Sequence, residues 1–372
     1  MAEKYSRVLR AITEQPWAIR QSTLDTMIAV VAARASGVKL SQHEIRARIG
    51  AAQSKRSRST VADGASAVGV IPIYGVLAQK ANMFTDISGG TSYQMVMRDF
   101  REFRDDPNVK AIVFDVDSPG GEVFGLEEAA EEIFAARGTK PMIAVCNPMI
   151  GSAALYLACA CDEIVVTPSG AIGSIGTIVK HVDYSKQNDM LGESPTYITS
   201  SKFKAEGNPD EPLSDDAVAD LQAMVNAYGD KFEAFVAKGR NVPVSKVRSD
   251  FGRGRMLLAA DAVKVGLADG IETYEQALTR VLGQGVRLGG PRAAMAGEML
   301  MGSEHVLTKA EARAVFSNAP DNAPDNAPEP VAVEAVLPTE SEEPATTEDA
   351  VDEAQLKADQ DALDIALAMT ET

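Results

Sequence analysis

Three short segments carry residue types suited to acyl transfer. Asp117-Ser118-Pro119-Gly120-Gly121 follows the apolar run Lys110–Val116. If a helix follows directly, its two glycines leave backbone N–H groups open to an anion or a developing oxyanion. The same residues also serve as a bare strand-to-helix turn. Ser152, in Gly151-Ser152-Ala153-Ala154, opens a small-residue stretch just beyond the apolar run Met142–Cys146. A serine at a helix start can be a simple N-cap. Small neighbours and a following backbone N–H also suit a nucleophile with an oxyanion donor beside it.

A nucleophilic serine needs a base. Of the three histidines, His43 lies in a basic N-terminal stretch and His305 near a polar tail, which leaves His181 in the middle of the chain. A Ser152–His181–Asp triad and a lysine base stand side by side at this stage. A lysine serves only where burial favours its neutral amine. Lys202 and Lys204, in Thr199-Ser200-Ser201-Lys202-Phe203-Lys204, are two apart and face the same side of an extended segment, so alternation does not separate them. Ser174, in Gly173-Ser174-Ile175-Gly176, adds a hydroxyl able to orient an amine.

The elements that must position these residues read as alternating strands and helices. Strand-like runs occur at Val68–Leu77 (interrupted by Pro72), Lys110–Val116, Met142–Cys146, Glu163–Thr167 and Thr196–Ile198. Helical spacing occurs at Glu122–Arg137, at Gly151–Cys161, after a capping Ser214, and near 259–266 and 274–282. This alternation predicts an α/β fold with largely parallel strands.

The ends differ from this body. Residues 1–60 hold 11 Lys/Arg against 4 Asp/Glu and read as mostly helical, with Leu24, Ile28, Val31 and Ala32 on one face and a capping-box pattern at Ser41 and Glu44. Gln53–Ala67 is small, polar and basic, the composition of a linker. Residues 286–317 read as a connecting segment. Residues 318–372 hold 15 Asp/Glu against one Lys and repeat Asn-Ala-Pro-Asp/Glu, a composition expected to stay disordered, with one acidic amphipathic helix at Val351–Met369.

Composition narrows the function. The formal net charge of −17 argues against a nucleic-acid backbone as partner. Cys146, Cys159 and Cys161 form no CxxC pair, which points to a reducing compartment and offers no metal-ligand cluster. Met27–Ala33 is too short to span a bilayer and too far from Met1 for a signal sequence, so a soluble intracellular protein is expected.

Taken in order, DSPGG, GSAALYLACACDEIVVTP, GSIGTI, SSKFKAEGNP and GRGRMLLAADAVKVGLAD resemble the signal peptide peptidase A (protease IV) family of Ser–Lys peptidases, over about Val68 to Leu282. Pro16–Ile19 and Lys204–Pro209 resemble the branch formed by bacteriophage head-maturation proteases. The resemblance implies a Clp/crotonase-like fold of repeated ββα units at 68–285, Ser152 as nucleophile and Lys204 as general base. It implies Ser174 as support for the lysine, Gly120 and Gly121 as the oxyanion loop, and Ala153 N–H as a second donor. It implies no cofactor or metal.

Expected partners are phage scaffold, capsid and portal proteins inside an assembling prohead in the host cytoplasm, with no membrane and no nucleic acid. Family members form rings in which neighbouring subunits line an enclosed site, so a homo-oligomer is expected. The acidic tail is scaffold-like, and self-processing is expected in the flexible segments. Many family members have Ser-Gly-Gly or Ser-Ala-Gly where this chain has Ser152-Ala153-Ala154, and the added methyl groups narrow the site. Competing readings are a cellular signal-peptide or membrane-protein peptidase, an acyl-CoA enzyme of the crotonase type, and a non-catalytic assembly protein.

Overall fold

The computed structural model describes residues 12–13, 15–35, 38, 58–63, 66–80 and 90–284. The expectations for Ser41–Glu44, 286–317 and 318–372 lie outside these residues. The architecture is mixed α/β and built on two sheets. The larger, eight-stranded sheet contains β2 (Ser59–Asp63), β3 (Ser66–Tyr74), β6 (Val109–Ser118), β8 (Met142–Gly151), β9 (Glu163–Val166), β10 (Ala171–Gly173), β11 (Met256–Leu258) and β12 (Gly270–Ile271). The smaller runs in the order β1 (Trp17–Ile19), β7 (Gly120–Glu122), β4 (Leu77–Ala78), β5 (Thr91–Ser92).

The centre of the large sheet is parallel, as the alternation predicts. β3 pairs with β6 through Tyr74↔Asp117, and β6 with β8 through Val116↔Cys146. β8 then splits its pairing: Ile143–Cys146 runs beside β9, and Met149–Gly151 beside β10. The β2 ladder stops at Val70, two residues before Pro72, so the proline sits where that edge no longer needs a backbone donor.

Alternation along β6 feeds two cores. Ile112, Phe114 and Val116 face the main core, which includes helices α2 (Tyr93–Asp105) and α3 (Leu126–Ala135). Ala111 and Val113 face Ala277 and Val281 of α9 (Tyr274–Gln284). In α2, Ser92 accepts from the Met95 N–H as N-cap, and Tyr93, Val96, Met97, Phe100 and Phe103 bury one stripe. The predicted cap at Ser214 is present, its Oγ accepting from the Ala217 N–H at the start of α6 (Asp215–Arg240). The other helices are α1 (Gln21–Ala35), α4 (Ala153–Ala158), α5 (Ser185–Leu191), α7 (Val244–Asp250) and α8 (Ala259–Val265).

Four expectations are corrected. Residues 59–63, read as linker, form β2, because Thr60 and Val61 pair with Gly69 and Val68 of an otherwise open sheet edge. Trp17–Ile19, read as part of a helical region, is a strand of the small sheet. Gly120 and Gly121 do not begin a helix but form β7, and α3 starts only at Leu126. Among the described residues Thr196–Ile198 pairs with no strand and is exposed, Ile198 at 96%, because none of them covers its apolar side chains.

Candidate active site

Ser152 stands at the joint between β8 and α4 with φ 49° and ψ −116°, a conformation costly for a residue with a Cβ. The surrounding bonds hold it there. Its N–H donates to Gly173 O at 2.8 Å, and its carbonyl accepts from Leu155 and Tyr156 N–H at 2.8 and 3.1 Å, which starts the helix. Ser152 caps nothing with its side chain, so the simple N-cap reading fails. Its Oγ lies 3.4 Å from Gly176 O, and the residue is fully buried.

The far side of the nucleophile is backbone. A Cβ at Gly120, where φ is +101°, would stand 2.9 Å from Ser152 Cβ, 3.0 Å from Ala153 N and 2.3 Å from Ala18 O. Glycine there is a condition of the close approach. At Gly121 a Cβ would stand 1.9 Å from Leu77 O. The Gly120 N–H donates to Ser118 Oγ at 3.2 Å, and Ser118 Oγ donates to Gly75 O at 2.7 Å, which fixes the turn. Ala153 is the first residue of α4, so its N–H lies outside the intrahelical ladder.

The core secures this platform. Tyr156 stacks on Phe235 of α6 with ring centroids 4.2 Å apart. Arg137 donates to the carbonyls of Cys159 and Ala160 just past α4 at 2.9 and 3.0 Å. Arg240 at the end of α6 is buried and paired with Asp269 at 2.6 Å, and Asp269 in turn accepts from the Ile164 N–H. Burial pushes the thiols of Cys146 and Cys159 up to about 12, so neither is a competing nucleophile near neutrality. Asp117, at the mouth of the Gly120 turn, is pushed up to about 6, chiefly by burial and then by Asp115. Sequence reasoning missed this pair, although Asp115 and Asp117 alternate in one strand and so share a face.

Among the described residues, none of the candidate bases makes a hydrogen bond to Ser152 Oγ. His181 makes no hydrogen bond to Ser152, and its buried Nε2 has no hydrogen-bond partner among the described residues, so the triad is not formed. Lys202 is exposed, with Nζ 3.3 Å from Asp216. Lys204 is exposed on the turn at 201–207, and its ammonium makes no hydrogen bond or ion pair among the described residues. Ser174, with φ 60°, is half-buried and anchored by its N–H to Arg255 O at 3.0 Å. No cluster of three or more His, Cys, Asp or Glu that could hold a metal occurs among the described residues, and none of their helices is long and apolar enough to cross a membrane.

A serine held on a strained strand-to-helix joint, in an α/β domain whose core fixes that joint, is the arrangement of a nucleophile-presenting hydrolase domain. Comparison with known proteins adds to this: residues 135–285 match the model of Peptidase family S49. Over 212 residues it is 31% identical to "Capsid assembly protease C" of Escherichia phage lambda, covering 57% of this chain and 48% of the relative. It is 30% identical over 212 residues to "Head-tail preconnector protein GP5" of Enterobacteria phage P21, covering 57% and 42%. To "Putative signal peptide peptidase SppA" of Enterococcus faecium it is 27% identical over 227 residues, covering 60% and 65%. The chain thus spans a little under half the length of the two phage relatives.

Proposed function

We propose that this chain is a serine endopeptidase of phage capsid maturation, with Ser152 as nucleophile and Lys204 as general base, on a Clp/crotonase-like fold. The observation that carries the reading is the strained, core-fixed Ser152 packed against Gly120, inside the segment that matches the peptidase family. The phage relatives, named as a capsid assembly protease and a head-tail preconnector, favour head proteins as substrates over signal peptides.

The neutral Lys204 amine takes the Ser152 Oγ proton as Oγ bonds to the scissile carbonyl carbon. The resulting oxyanion is held by the Ala153 N–H and by the Gly120–Gly121 backbone. Collapse breaks the C–N bond, and Lys204 returns the proton to the leaving amine. Water, deprotonated by the same lysine, then attacks the acyl carbon; the Oγ–acyl bond breaks and the lysine returns that proton to Ser152 Oγ. Ser174 orients the amine.

Lys204 is exposed in the single chain, so the reading includes a homo-oligomer in which Lys204 of one copy meets Ser152 of the next. The exposed apolar side chains around it support such a contact: Met190, Leu191, Tyr197, Ile198 and Phe203. Removal from water by the neighbouring copy is what favours the neutral amine. Lys202 is the poorer base, since its ammonium already faces Asp216.

The test is intact mass and peptide mapping after co-expression with the neighbouring genes, wild type beside Ser152→Ala. Cleavage of a scaffold or head protein by wild type alone is the expected result. Identical maps would overturn the assignment. The same maps report whether the chain trims its own flexible segments.

A further inference from the structure

Each edge of β7, the strand that faces the nucleophile, is already paired. On one side Gly121 pairs with Leu77 of β4. On the other, Gly120, Gly121 and Glu122 pair antiparallel with Ile19, Ala18 and Trp17 of β1. β1 is bonded on its second side as well: Trp17 N–H donates to Ile178 O and Ile178 N–H to Trp17 O, both at 2.8 Å. Ile178 lies two residues beyond Gly176, whose carbonyl is next to Ser152 Oγ. β1 therefore runs between the two backbone segments that flank the nucleophile, and Ser152 beneath it has no exposed surface.

This is the position an extended peptide would take by adding a strand to the edge of β7. We propose that β1 is a tethered pseudosubstrate, which holds the substrate groove shut until it is displaced. The inference rests on the peptidase reading above. β4 is a poor candidate for displacement because it sits inside the small sheet, whereas β1 is its terminal strand. Of β1, only Ala18 packs into the main core; Trp17 and Ile19 do not. Ile12, Trp17, Ile19, Leu24, Met27, Val31 and Val76 form a small cluster of their own, so the strap can open as a local unit.

The groove also indicates what replaces it. Ala18 borders a cavity of about 280 Å³, lined further by Leu126, Tyr156 and Phe232 and by the polar Gln79, Glu127 and Lys231. The volume is that of roughly nine waters, well beyond a methyl group. The incoming strand carries a side chain larger than alanine's at the position Ala18 occupies now.

The test ties the strap down in the full-length chain with Trp17→Cys and Ile178→Cys, whose backbones face each other as a hydrogen-bonded antiparallel pair. The three native cysteines are buried and do not compete. With casein as probe, the oxidised double variant is expected to be at least about tenfold slower than after reduction, because apparent affinity scales with the open fraction. Equal rates before and after reduction would overturn the strap and leave the peptidase intact. In wild type, Trp17 is the sole tryptophan, so its emission should shift to the red when a peptide boronic acid occupies Ser152. Full occupancy without a shift would also overturn the strap. Casein cleavage that survives Ser152→Ala, or a wild type and reduced variant that neither cleave casein nor take up boronate, would instead overturn the peptidase reading and the strap with it.

Discussion

The two halves of the proposed dyad sit in very different surroundings. Ser152 is fully buried and fixed by backbone bonds on both sides, and the helix it starts is held to α6 by the Tyr156–Phe235 stack. The segment 193–204 that carries Lys204 forms no regular element and is exposed throughout, and its largest apolar side chains face water. One half is organised by the chain's own core. The other has no core of its own and, in the proposed reading, is organised by a second copy. In that reading activity is conditional on assembly, because each chain holds the proposed nucleophile while the complete site needs two.

The largest expected effects break the dyad itself. Ser152→Ala and Lys204→Ala should each lower peptidase activity at least about a thousandfold. Lys202→Ala, which removes an exposed ion pair to Asp216 and an exposed contact over the Phe203 ring, should leave it within about twofold, as measured by turnover of a cleaved head protein. If Lys202→Ala abolished activity and Lys204→Ala did not, the base assignment would be wrong.

Arg240→Ala probes the organised half alone. It leaves the mostly buried Asp269 without its charge partner, though still accepting from the Ile164 N–H, and should cost about 3 kcal/mol in denaturant unfolding. A smaller loss would mean that the Ser152 platform does not depend on the pair.

Ile198→Glu probes the other half. Thermal stability of the single chain should hardly move, since Ile198 is 96% exposed, while sedimentation should show loss of the oligomer and activity should fall with it. An oligomer that withstands this change would place the interface elsewhere.

The smallest effect concerns pH. Asp117 is pushed up to about 6 in the folded chain, so between about 4 and 6 the native state binds this proton more tightly than the unfolded state does. Its contribution to stability therefore falls as pH rises through that window. Asp117→Asn should flatten the fall, as read from unfolding midpoints at several pH values.

Much of the fold was legible from pattern. The runs at 110–116, 142–146 and 163–167 became buried parallel strands because β-branched and apolar residues suit a sheet covered on both faces. Ser214 could be read as a cap because its bond to Ala217 is local. The misreadings have a shared cause. Trp17–Ile19 and residues 59–63 are too short and too weakly patterned to declare themselves, and became strands only because β7 and β3 offered them edges. Thr196–Ile198 erred the other way: its composition suits a strand, but no edge of the described chain meets it.

The sequence alone determined the α/β alternation, the candidate residues and the family resemblance, since each depends on residue types at short or ordered spacing. Only the tertiary structure decided that Ser152 is strained and buried, that His181 makes no hydrogen bond to it, and that β1 pairs with β7 and Ile178 beside it. Those facts arise from contacts between segments far apart in the chain, where the packing of one backbone against another, and not any local preference, sets the outcome.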